Sequence, residues 1–186
     1  TQAQRQPGST FKTFVYTTAI AAGFSPYRPY MDAKLVVDGY EPQNYSRNYS
    51  GSMSMREALI RSVNIIAVKA LIDVGFDPVV EMSKRMGIHS KLVPAYSLAL
   101  GSSEVNLLEL TSGYGTLANK GNHVEPYAIR RVFDRFGNEI YRAKPEAQRA
   151  VDEDTAAIMT WMLRGVVSSG TGARAAVDRP VAGKTG

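Results

Sequence analysis

The sequence predicts a mixed α+β fold in which helix clearly outweighs strand. Apolar residues return at three- and four-residue steps in segment after segment, the period of a helix with one buried face. Helix-capping residues stand at the starts of several of these segments. Strand signals are confined to one hairpin and one short run at the end. With 186 residues, 44% of them hydrophobic and 21% charged, the chain is long enough for one domain with a sizeable core.

The first helix is expected from Thr10 to about Ala22, ended by Gly23. Phe11, Phe14, Val15, Ala19 and Ala22 fall on one face, and Ser9, Lys12 and Tyr16 on another. Phe24–Ser52 reads as a long loop, rich in proline, glycine and tyrosine, of the kind that often carries function. Its tyrosines are expected to pack in the ordinary way, with the lining of an acceptor groove as the alternative. Ser54-Met55-Arg56-Glu57 is a capping box that opens a helix to about Arg61. A second apolar helix follows from Ile65 to Val74, stopped by Gly75. Asp77-Pro78 reads as a cap with proline at the first helical position, and that helix runs to Met86. Asn106-Leu107-Leu108-Glu109 opens another, to Asn119. Tyr127–Phe133 and Glu139–Tyr141 form a hairpin across Arg135–Asn138. Asp152 or Asp154 caps a helix to about Val167, and Pro180–Gly186 reads as a short strand.

Composition narrows function. The charge of +5 is spread without a lysine or arginine run, so nucleic acid is not indicated. Without cysteine there is no disulfide, no thiolate catalysis and no cysteine metal site. No apolar run approaches the roughly 20 residues of a membrane span. The opening on Thr1 and the close on Lys184-Thr185-Gly186 read as an internal piece of a longer protein. His89 and His123 stand apart in the sequence and read as surface residues, so no metal or cofactor is expected.

Three short motifs carry chemistry. In Ser9-Thr10-Phe11-Lys12, serine and lysine lie one helical turn apart. A hydroxyl near its free pKa needs an adjacent base, and an amine serves if burial and positive potential lower its own pKa. Ser-x-Asn occurs at Ser46-Arg47-Asn48 and at Ser62-Val63-Asn64. The second lies at a helix junction, the more rigid mounting, and is preferred. Lys184-Thr185-Gly186 is the rarest of the three by composition. Its lysine and threonine can hold a carboxylate, and its glycine admits a neighbouring backbone.

Together, and in this order, the motifs resemble those of the transpeptidase domain of class A (bifunctional) penicillin-binding proteins. Arg5–Lys12 resembles the nucleophile segment, and Met55–Leu59 with Ser62–Asn64 the second motif. Ser97–Gly101 with Glu104-Val105 resembles a signature loop, and Gly165–Gly172 with Ala182–Gly186 the approach to the third motif. The resemblance implies the serine β-lactamase/penicillin-binding-protein transpeptidase-like fold: a five-stranded sheet against helices. This chain would keep a helix-rich part of it, with one core strand and an accessory hairpin, truncated at both ends. Alone it would be poorly stable and inactive.

The resemblance also implies the roles of residues. Ser9 would attack the D-Ala-D-Ala carbonyl of a peptidoglycan stem peptide, and Lys12 would take its proton. Ser62 would relay a proton to the leaving amine, and Asn64 would steady Lys12 and the donor peptide. Lys184 and Thr185 would hold the terminal carboxylate, with Gly186 beside them in the substrate groove. Partners would be donor and acceptor stem peptides and β-lactams, at the extracytoplasmic face of the bacterial membrane, with membrane attachment and a glycosyltransferase domain outside this chain. A β-lactamase would need a carboxylate to activate water, with Glu104 and Glu109 in the right sequence region. A non-catalytic β-lactam sensor is the remaining alternative.

Overall fold

The computed structural model describes residues 3–186. A two-residue strand β1 (Gln4–Arg5) leads through a 3-10 turn, Gly8–Phe11, into helix α1 (Lys12–Ala21). Strands β2 (Pro29–Asp32) and β3 (Gly51–Ser54) precede helices α2 (Met55–Ile60), α3 (Asn64–Val74) and α4 (Phe76–Arg85). A 3-10 turn at Tyr96–Leu100 and strand β4 (Val105–Asn106) lead to helix α5 (Leu107–Ala118). Strands β5 (Asn122–Val124), β6 (Arg131–Phe133), β7 (Glu139–Arg142) and β8 (Ala147–Arg149) come next. Helix α6 (Glu153–Ser169) and a 3-10 turn at Ala173–Ala175 complete the order.

Helix α1 is the axis of the core. Phe11, Phe14, Val15, Tyr16 and Ala19 are inaccessible, and so are Lys12, Thr13 and Thr17. The expected polar face is therefore not a solvent face: α3, α4 and α6 pack around α1 and cover it too. The threonines tolerate this because Thr17 and Thr18 donate back to the carbonyls of Thr13 and Phe14 at 2.7 and 2.9 Å. Phe14 packs edge-on against Tyr114 of α5, whose hydroxyl bonds Thr13 and Thr10.

Two of the local cap signals behave as written in the sequence, while Asp152 stands at the start of α6 without a capping side-chain bond. Ser54 accepts from the Glu57 N–H at 3.1 Å, and Asn106 from the Glu109 N–H at 2.9 Å. Asp77 departs from expectation. The helix starts at Phe76 behind Gly75, and Asp77 lies in its first turn, where negative charge suits the dipole.

Strand is scattered in four antiparallel pairs, β1–β4, β2–β3, β5–β8 and β6–β7. The hairpin expected around Arg135–Asn138 is β6–β7, shorter than expected at its start. The β2–β3 pair falls inside and beside the stretch expected to be loop. It is joined in register from Pro29↔Ser54 to Asp32↔Gly51. The strand expected at Pro180–Gly186 does not form. A strand needs a neighbour for its N–H and C=O groups, and no described residue pairs with this segment in a ladder. Side chains, a hydrogen bond from the Gly183 N–H to the Leu163 carbonyl at 3.4 Å and the close approach of Gly186 to Pro7 hold it instead.

Candidate active site

Segments from both ends and the middle of the chain converge on one open cleft of ≈ 450 Å³. Its lining includes Ser9, Ser62, Asn64, Thr185 and Gly186, all expected from sequence, together with Asp32, Asn44, Tyr45 and Thr171, which were not. The turn bearing Ser9 is clamped by glycine backbones on two sides. Gly101 has φ +73°, and a Cβ there would sit 2.2 Å from the Gly8 oxygen. A Cβ on Gly186 would sit 2.7 Å from the Pro7 oxygen. Both glycines permit approaches that no side chain would allow. Through them the Tyr96–Leu100 turn and the Lys184–Gly186 segment rest directly on the Ser9 turn.

Lys12 follows one turn after Ser9, and its side chain runs inward. Its Nζ donates to Asn64 Oδ1 at 2.6 Å, to the Ser62 carbonyl at 2.8 Å and to Ser62 Oγ at 3.2 Å. None of these bonds goes to Ser9. Burial, and then the charge of Lys184, lower the Lys12 pKa from 10.5 to about 7. Lys184 arrives from the far end of the chain, and its Nζ donates to Ser62 Oγ at 2.8 Å and to the Thr185 carbonyl at 2.8 Å. Burial lowers its pKa to about 8. Thr185 Oγ1 lies 2.6 Å from Thr171 Oγ1.

Ser62 is thus the hub, touched by both ammonium groups. It occupies the junction between α2 and α3 with φ +58°, a left-handed conformation that costs a non-glycine residue of order 1–3 kcal/mol. The surrounding bonds hold it there. Ser46 and Asn48, the other Ser-x-Asn, also line the cleft. The bonds to Lys12, however, come from Ser62 and Asn64.

The residue that mounts Asn64 was not legible. Val63, at the start of α3, offers no capping side chain. Asn44, from the long loop, reaches across and accepts from the N–H groups of Asn64 and Ile65 at 3.0 and 3.3 Å. Its amide donates to Asp32 Oδ1 at 2.8 Å, while Asp32 Oδ2 accepts from the Ser50 N–H at 2.8 Å. The Gln43 carbonyl accepts from Asn64 Nδ2 at 2.9 Å. A cap supplied from 20 residues upstream leaves no local signal. Asn44→Ala is expected to cost about 0.5–2 kcal/mol of stability. Denaturant unfolding of the full-length protein checks this.

Among the loop tyrosines, Tyr40 stacks on Tyr96 and Tyr30 donates to Asp73 at 2.8 Å, as packing predicts. Tyr45 departs from that pattern and stands fully exposed at the cleft edge. The two carboxylates considered for water activation lie elsewhere. Glu109 is tied to the Ser90 N–H and to Asn106, and Glu104 lines a different surface hollow. The histidines also depart from expectation. His123 is buried, and it meets His89 at Glu125.

Comparison with known proteins matches this geometry to a family. The family model described as the penicillin binding protein transpeptidase domain matches residues 1–186. The chain is similar to penicillin-binding protein 1A of Aquifex aeolicus, at 38% identity over 193 residues, covering 100% of this chain and 26% of that protein. It is similar in structure to penicillin-binding protein 1A of Haemophilus influenzae, with a TM-score of 0.85 and 25% identity, covering 96% of this chain and 32% of that one. An imipenem acyl-enzyme complex of penicillin-binding protein A from M. tuberculosis shares the fold, with a TM-score of 0.88 at 23% identity over 96% of this chain and 47% of that one. The chain spans about a quarter of the length of the curated relatives it matches, 26% and 28% for two of them. Its sequence from end to end and its helix-and-strand fold both place it in the penicillin-binding protein transpeptidase domain family.

Proposed function

We propose that this chain carries the site of a peptidoglycan D,D-transpeptidase, which joins stem peptides through an acyl-enzyme on Ser9 and which β-lactams acylate at the same serine. Residues 1–186 are read as part of that domain. The observation that carries the proposal is the meeting of two pKa-lowered lysines, Lys12 buried and Lys184 half-buried, at Ser62, beside the turn that presents Ser9.

Neutral Lys12 has two hydrogens and one lone pair. The hydrogens suit its two shortest bonds, to Asn64 Oδ1 and the Ser62 carbonyl. The lone pair is then free to accept a proton. Ser9 Oγ attacks the carbonyl of the penultimate D-alanine and its proton passes to Lys12 Nζ. The oxyanion takes a hydrogen bond from the Ser9 N–H, at the start of the 3-10 turn. The carbon–nitrogen bond breaks, D-alanine leaves with a proton relayed through Ser62 Oγ, and the acyl group stays on Ser9. An amine of a second stem peptide attacks that ester. Its proton returns through the same groups, and Ser9 is regenerated. Charged Lys184, with the Thr185 hydroxyl, holds the donor's terminal carboxylate. A β-lactam occupies the donor's place, and the acyl-enzyme complex of the M. tuberculosis relative supports that reading.

Transfer to an amine rather than hydrolysis is the reading that the cleft's carboxylate supports. Asp32 is the one carboxylate among its lining residues, and Asn44 and the Ser50 N–H occupy both its oxygens. The site would face the extracytoplasmic side of the cell envelope, where the substrate lies. No described helix is long and apolar enough to cross a membrane.

The pH profile tests the assignment. Below about 7 Lys12 carries a proton and cannot accept one, so D-alanine release at limiting donor should rise with pH through that point. Above about 8 Lys184 loses its charge and its grip on the carboxylate, so the rate should fall again. The two limbs belong to the coupled pair. Assays of D-alanine release and cross-link formation by the full-length protein should give this narrow bell. A rate that falls as pH rises toward 7 would contradict the role given to Lys12, and a rate that holds well above 8 the role given to Lys184.

A further inference from the structure

We propose that the protein binds one divalent transition-metal ion of the zinc class through His89, His123 and Glu125, at a surface separate from the cleft. His89 follows α4 and His123 lies on β5, so distant parts of the chain meet there. His89 Nε2 and His123 Nε2 each lie 3.2 Å from the same oxygen, Glu125 Oε1. One ligand atom from each of the three residues falls within 4.8 Å of the other two. Tetrahedral zinc with bonds of 2.0–2.1 Å has ligand–ligand edges of about 3.3 Å, so both distances already match an edge. Two imidazoles and one carboxylate suit zinc and its neighbours better than calcium or magnesium, which prefer oxygen alone.

His123 is the preorganised member. Its side chain is 7% exposed, against 59% for His89 and 67% for Glu125. A Cβ on Gly87 would sit 2.5 Å from the ring, so the missing side chain there makes the ring's seat. His123 Nδ1 lies 3.2 Å from Thr116 Oγ1, and that hydroxyl reaches the Met86 carbonyl at 3.2 Å. With the proton on Nδ1 donated to Thr116, and the Thr116 hydrogen donated to Met86, the Nε2 lone pair points to the cluster. A metal-binding histidine is oriented in the same way, by a partner on its second nitrogen. The exposed sides of His89 and Glu125 leave room for water as the fourth ligand. The ion would clip the end of α4 to β5, and none of the three residues lines the cleft.

The test uses the full-length protein, stripped of metal by a chelator and titrated with zinc alone and with cobalt alone. Wild-type protein should bind one more equivalent of zinc than the His89→Gln/Glu125→Gln double variant. Cobalt should give the intense visible absorption of a four-coordinate site. Each single variant should weaken binding at least about tenfold. Both side chains are exposed, so the variants should melt as the metal-free parent does and should label with fluorescent penicillin at the parental rate. Equal zinc content in wild type and double variant, or a weak six-coordinate cobalt spectrum, would leave only a histidine–carboxylate hydrogen-bond cluster and overturn the proposal.

Discussion

Lys12→Met is expected to lower the rate of Ser9 acylation by a factor of about 10²–10⁴, the range for losing a positioned general base. Methionine keeps the length and removes the amine. Lys12 is fully buried and methionine fills much of the same space, so the fold should persist, at the cost of leaving Asn64 Oδ1 and the Ser62 carbonyl without their donor. A pH-dependent readout separates catalysis from packing. The Lys12 pKa is about 7 in the folded protein and about 10.5 unfolded. Between those values the unfolded chain binds more protons, so Lys12 makes stability rise with pH, and below about 7 its penalty is at full size. Lys12→Met should flatten that rise while acylation collapses. A variant that loses acylation and also unfolds would point to a structural lysine instead. Acylation rates come from fluorescent penicillin, and stability from denaturant unfolding of the full-length protein at several pH values.

Gly101→Ala is expected to slow acylation about a hundredfold without touching the cleft lining. Alanine at φ +73° carries backbone strain, and its Cβ would meet the Gly8 oxygen at 2.2 Å. Neither atom belongs to a flexible side chain, so the turn bearing Ser9 must move. A displacement near 1 Å at a reacting group costs of order 10² in rate. Thermal unfolding should show a loss of order 1–3 kcal/mol. Wild-type acylation by this variant would show that the Tyr96–Leu100 turn does not position Ser9.

What the sequence could disclose depended on how local each feature was. The Ser9–Lys12 spacing, the Ser54 and Asn106 caps and the β6–β7 hairpin are set within a few residues, and the structure contains them. The Ser62 and Lys184 motifs were visible as motifs, yet their meeting through one hydroxyl is a tertiary fact. Asn44 escaped because it caps a helix from a remote loop. The β2–β3 pair escaped because proline and glycine masked its period, and its hydrogen bonds join segments that flank a long excursion. Helix α1 has a clean apolar stripe, but three neighbouring helices bury its other face as well. The expected strand at Pro180–Gly186 has the right local residues, but strand is a property of a pair. His89, His123 and Glu125 meet only because α4 ends beside β5.

The most direct measurement is the site of covalent modification. Full-length protein incubated with a penicillin, digested and read by mass spectrometry should carry one acyl group, on the peptide containing Ser9, and Ser9→Ala protein should carry none. An adduct on Ser46 or Ser62 with Ser9 unmodified, or undiminished labelling of the Ser9→Ala protein, would contradict the account.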